Sequence, residues 1–234
     1  MTKPAPHCRI SLIFAEEAPI AVILRKGPSK WVEMIKWHTQ EDRFEHGQWF
    51  NGRIYSERCG LSPDGTLLVY FAAKYGTRKR NPEYSNTYTV VSKPPFFTAL
   101  AMWSQGHTWG GGGKFIDNKT LRLAYAGGGY TVTPHSGKTN LYMAPIREHH
   151  PNHPPGPLNI EFNLEDYDPD KKFRDALNPY PDCEWSGKDQ SGRGIFVRSG
   201  VLYAIGKDGE ELELNDFNPD APMEMPSPEW AKVW

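Results

Sequence analysis

The chain is short of cysteine, of long apolar runs and of net charge, and each shortage closes off a class of protein. Cys8, Cys59 and Cys183 are odd in number, far apart, and never in a Cys-x-x-Cys pair. A disulfide framework needs an even set with regular spacing, so none is expected, and a reducing, cytoplasmic setting fits better. The longest apolar segment, Ile20 to Leu24, stops at Arg25-Lys26. That is far below the roughly 20 residues a membrane-spanning helix requires, so no membrane partner is expected. Glu16 and Glu17 break any signal-peptide pattern near the start. A formal charge of −1 supplies no general attraction to nucleic acid or anionic lipid, and nucleic acid is not an expected partner.

What the chain does have is turn formers and rings. Its 22 glycines and 21 prolines interrupt long helices and suit short strands joined by many turns. Eight tryptophans and an aromatic content of 13% give bulk to a small β interior. Strand-like runs are predicted at 10–14, 20–24, 31–37, 48–55, 66–72, 87–92, 97–103, 120–126, 140–143, 158–163, 194–198, 201–205 and 211–214. Trp31 to Trp37 partly alternates, as a half-buried strand does. Turn signals separate the runs at Gly27-Pro28, Pro63-Asp64-Gly65, Asp117-Asn118, Ser199-Gly200 and Asp208-Gly209. Residues 170–177 look mildly helical, and 226–234 can form a helical turn. The expected organisation is one β-rich domain over residues 1–234, with a proline- and histidine-rich surface loop at 146–157.

Ser62-Pro63-Asp64-Gly65 leading into Leu67, Val69 and Tyr70 is the sharpest local signature. Pro63 presets φ, Asp64 can bond its own backbone, and Gly65 takes a conformation that other residues resist. This segment resembles the repeat of Tol-type and WD-like β-propellers. The resemblance covers about a dozen of the 234 residues, and no other block carries a clean copy. It implies antiparallel meanders in a propeller-like array of about four or five small blades; the alternative is a set of open twisted sheets. Either way the fold class is mostly β.

Few motifs carry chemistry. His149, His150 and His153 offer imidazoles in one loop, so a divalent metal is the one cofactor the sequence leaves open. No other cofactor is expected. Asp166, Asp168 and Asp170 copy the first carboxylates of a calcium loop, but Lys171 and Leu177 occupy its glycine and glutamate positions. Gly110 to Lys114 invites a phosphate-loop reading that fails at Thr108 and Phe115. The four glycines there instead suit a loop passing close to other backbone. No serine occupies a Gly-x-Ser-x-Gly elbow, and the catalytic residues stay unassigned among carboxylates such as Glu57, Asp64, Glu161 and Asp182.

The remaining signal is aromatic. Phe96 and Phe97 after Pro94-Pro95, and Trp109 in a glycine loop, are expected to offer exposed rings for a partner, which Trp103, Arg78 and Arg80 would also contact. The reading leans to a non-enzymatic protein-binding module, of the kind that inhibits or neutralises another protein. Its alternative is a hydrolase with a carboxylate- or histidine-lined cleft.

Overall fold

The run Ile20–Leu24 is apolar at every position because both of its faces are covered. It lies in strand β2 (Ile20–Lys26), which pairs antiparallel with β1 (Arg9–Phe14) and β3 (Trp31–His38). Strand β4 (Arg43–Asn51) completes the first sheet in the order β1-β2-β3-β4. Ala21 and Ile23 meet one core, while Val22 and Leu24 meet another. A strand buried on both faces has no use for a polar alternate. In β3 Val32 to Ile35 are likewise buried in succession, Glu33 included, so the half-buried strand expected at Trp31–Trp37 is corrected to a central one.

The structure is a computed structural model and describes residues 7–27, 29–75, 86–105, 108, 110–124, 156–162 and 182–234. A second sheet holds β5 (Arg53–Leu61), β6 (Leu68–Ala73), β7 (Thr87–Ser92) and β8 (Ala99–Ser104) in sequence order. A third, smaller sheet contains β9 (Gly113–Phe115), β10 (Thr120–Leu123) and β11 (Asn159–Phe162), with β10 and β11 parallel. The fourth is again a meander: β12 (Trp185–Lys188), β13 (Gly194–Arg198), β14 (Val201–Ile205) and β15 (Glu211–Asp216). Among the described residues the only helix is a 3-10 turn at Glu229–Lys232. The fold is mostly β in open twisted sheets, as the composition implies.

One expected strand is two. The run 48–55 breaks at Gly52, where β4 leaves the first sheet and β5 opens the second. A Cβ at Gly52 would lie 2.3 Å from the Phe50 ring, so only glycine lets the chain turn there. Strands β9 and β12 are also additions, since a glycine run and the polar tetrad WSGK give no apolar pattern. The expected strand at 140–143 and helix at 170–177 fall outside the described residues, as do 146–155 of the expected loop.

The first sheet is central. Its Ala21, Ile23, Ile35 and Trp37 pack with Ile195, Val197, Leu202 and Phe217 of the fourth sheet and the segment after it. On the opposite face Val22, Leu24 and Met34 share a core with Leu68, Tyr70 and Val90 of the second sheet and Leu121 and Leu123 of the third. Polar ties reinforce both contacts. Arg193 forks onto Asp42, with both N–O distances 2.7 Å, and its Nε also donates to Asp189 Oδ2 at 2.9 Å. Beyond β15 an extended segment crosses the first two sheets. Gln48 donates to Met225 O and Ser227 Oγ, Lys93 donates to Trp230 O, and the Phe96 and Trp230 rings meet edge to face at 5.4 Å.

The glycine run behaves as expected of a close crossing. A Cβ at Gly112, whose φ is +83°, would stand 2.0 Å from Arg58 O, and one at Gly111 would stand 2.3 Å from the Phe71 ring. The third sheet is thereby held directly against β5.

Candidate functional site

Strand β5 carries a three-residue irregularity at its middle. Tyr55 pairs with Phe71 and Gly60 with Val69, so Ser56 to Cys59 have no register partner in β6. Surplus residues in one strand bend it and redirect its side chains. Here they turn toward β1, and Ser56, Glu57 and Cys59 line a cavity of about 1040 Å³ between β1, β5 and the start of β12. These are the first strands of three sheets, each paired on one side only among the described strands. The cavity wall therefore combines side chains with the outer strands of three sheets.

The polar lining is organised around Ser56. Its Oγ accepts from Ser11 Oγ at 3.1 Å and from Lys26 Nζ at 2.9 Å. With both lone pairs engaged, its own O–H is left to donate. Burial lowers the Lys26 pKa from the usual amine range, against the opposing pull of Cys59 and Glu57. Arg9 and Glu57 add charges of opposite sign, and His7 Nε2 lies 2.8 Å from Glu184 Oε1 at the rim. Phe14 and Trp185, stacked with ring centroids 6.0 Å apart, form an apolar wall. Such a site presents donors from Arg9, Lys26 and Ser56 beside the carboxylates of Glu57 and Glu184.

Comparison with family models, curated proteins and solved structures returned no match.

The aromatic residues expected at a partner surface are placed differently. Phe97 is fully buried, Trp103 is 5% exposed and Phe96 is 9% exposed. Phe97 lies edge to face with Tyr70 and near Phe50, inside the core shared by the first two sheets. The expectation of exposed rings at Phe96 and Phe97 is thus corrected: Phe97 fills the core of the second sheet, and Phe96 is covered by the Trp230 ring. Trp109, Arg78, Arg80 and the histidines His149, His150 and His153 lie outside the described residues. Of the four carboxylates left open by the sequence, only Glu57 faces the cavity. Asp64 holds its own turn, and Glu161 pairs with Arg122 on the surface. Ser11, Lys26 and Ser56 carry no sequence signal, because their meeting depends on the irregularity in β5.

A second polar cluster sits at the edge of the contact between the first sheet and the segment after β15. Glu33 Oε1 is 3.0 Å from His46 Nδ1, and Asp220 Oδ2 is 3.8 Å from the same nitrogen. A register shift between β3 and β4 makes this possible: Glu33 pairs with Trp49, but Ile35 pairs with His46, so β4 has one residue too many. His46 is thereby carried to the face occupied by Glu33. Burial raises the Glu33 pKa and outweighs the hydrogen bond to His46. The same hydrogen bond raises the His46 pKa against its burial, and burial raises that of Asp220.

Proposed function

We propose that this protein is a binding module and that the cavity between β1, β5 and β12 receives an extended segment of a partner protein. The observation that carries this reading is the convergence of three one-sided strands on one cavity lined by Lys26, Arg9 and Ser56. An extended peptide can add to such an edge through main-chain hydrogen bonds, while the side-chain donors select its acidic or carbonyl groups. The stacked Phe14–Trp185 wall supplies apolar area of the kind that anchors protein contacts. The sheets are, on this reading, the blades of a small propeller-like array with β1, β5 and β12 toward its axis. The position of β1 beside β5, and of β5 beside β9, supports that arrangement.

The test is comparative capture from native lysate, using the parent chain and Ser56→Trp, which fills the cavity. A stoichiometric protein bound by the parent and lost from the variant supports the reading. Equal capture by both, with the variant folded, overturns it.

The Lys26–Ser56 contact favours a second reading, a hydrolase. In the deprotonated form of Lys26 the direction of this contact reverses: Nζ would take the Ser56 proton as Oγ attacks an acyl carbon, and then return that proton to the leaving group. A fluorophosphonate probe decides: adduct formation at Ser56 that disappears in Lys26→Met supports hydrolysis, and an unlabelled Ser56 removes it.

A further inference from the structure

We infer that Glu33, His46 and Asp220 form a binding site for a first-row divalent cation, with zinc the best-matched probe. Their donor atoms lie within 4.8 Å of one another. One imidazole nitrogen and two carboxylates form a donor set that zinc and its first-row neighbours accept.

Proximity alone would not carry this; the orphaned oxygens do. The Glu33 side chain is 3% exposed, yet its Oε2 takes no hydrogen bond from any described residue, and neither does the buried Asp220 Oδ2. A carboxylate oxygen withdrawn from water without a partner is costly, and a cation is the partner that would satisfy both at once. The neighbouring cation does not fill that role. Arg25 directs its donors to backbone carbonyls: Nε to Phe217 O at 3.0 Å, a terminal nitrogen to Asp220 O at 2.7 Å, and the others to Gly27 and Asn218.

Arg25 serves the site in another way. By gripping the carbonyls of 217, 218 and 220 it fixes the segment that presents the Asp220 carboxylate to Glu33 and His46. The His46 side chain is 41% exposed and that of Asp220 25%, which leaves an entry path and room for water to complete the coordination. The site is built from a β3 strand position, a β4 bulge and a segment clamped by Arg25, all of them held independently of the ion.

The experiment is isothermal titration of the full chain with Zn²⁺ alone, in a background where His149, His150 and His153 are alanine. The expected result is uptake of one equivalent, weakened about tenfold or more by His46→Gln and by Asp220→Asn. Both variants change partly exposed side chains, and their zinc-free melting curves establish that they fold. X-ray absorption of the zinc-loaded chain should show nitrogen and oxygen ligands only. No uptake in this background, uptake unaffected by both variants, or sulfur in the coordination shell overturns the site.

Discussion

The side-chain oxygen of Gln48 accepts the backbone N–H of Phe97 at 2.8 Å, while its amide nitrogen donates to Met225 O at 2.9 Å and Ser227 Oγ at 2.8 Å. One buried amide thus joins the first sheet, the second sheet and the segment that follows the fourth. Gln48→Ala leaves the buried Phe97 N–H without a partner and removes the tie to the half-buried Met225 carbonyl. The expected loss is about 1–3 kcal/mol for the Phe97 N–H left unsatisfied, read as a lower urea midpoint. A midpoint within error of the parent would show that these bonds contribute nothing net.

Gly65 stands at φ +73°, and a Cβ there would lie 2.7 Å from Ile20. Gly65→Val combines a β-branched residue in the left-handed region with a clash against β2. A cost of at least about 1–3 kcal/mol is expected from the backbone alone, visible as a depressed melting temperature. Gly209→Val is the control, since its φ is +82° but nothing lies within 4 Å. Equal effects at both sites would assign the whole cost to backbone strain.

These two residues also mark what was legible in the sequence. The turn at Gly65 was readable because Ser-Pro-Asp-Gly dictates its own local geometry: Ser62 Oγ and Asp64 Oδ1 both accept the single Thr66 N–H within the turn. Short-range rules likewise located β1, β2, β3, β7, β13 and β14. Gln48 was not readable, because its partners are 49 and about 180 residues away and nothing in its neighbourhood marks it as buried. The candidate sites failed to appear for the same reason. Ser56 and His46 owe their positions to register irregularities, and a one-residue slip moves a side chain to the other face without changing the pattern of residue types. Phe96 and Phe97 were misplaced because a ring after two prolines reads alike in an exposed loop and at a strand entrance.

Thiol reactivity should rank by burial. Cys8 and Cys59 are 5% and 4% exposed, whereas Cys183 is half-buried. Burial also pushes the Cys8 thiol up to about 11, so little thiolate is present near neutral pH. Titration with a chromogenic disulfide should give one fast equivalent, assigned to Cys183 by its loss in Cys183→Ser. The other two should react only on unfolding. A fast Cys8 would contradict its packing against Gly200.

Acid should weaken the fold through two turn carboxylates. Burial by itself would raise Asp64, but hydrogen bonds from Ser62 Oγ and the Thr66 N–H outweigh it and hold the carboxyl below its ordinary value. Burial of Asp189 is likewise outweighed, by Ser191 and Arg193. A folded pKa below the unfolded value of about 3.9 means the stabilisation is complete above that value and lost as pH falls through the folded one. Melting temperature should therefore fall on acidification, and less steeply in Asp64→Asn or Asp189→Asn. Parallel curves for parent and variants would remove these groups from the acid response.

The placement of the first sheet has a consequence for the order of folding. Strands β1 to β4 are contiguous in the chain and can pair as soon as they exist, yet one of their faces is covered by residues met far later. The Arg25 contact to Phe217 closes a loop of 192 residues, and Ala21, Ile23, Ile35 and Trp37 wait for the same partners. Pairing contacts are therefore local and fast, whereas the contact that buries this apolar face is among the most distant in the molecule and correspondingly slow. In the interval the first sheet is an adhesive surface. A cell making this protein must keep that surface from other nascent chains until the fourth sheet arrives.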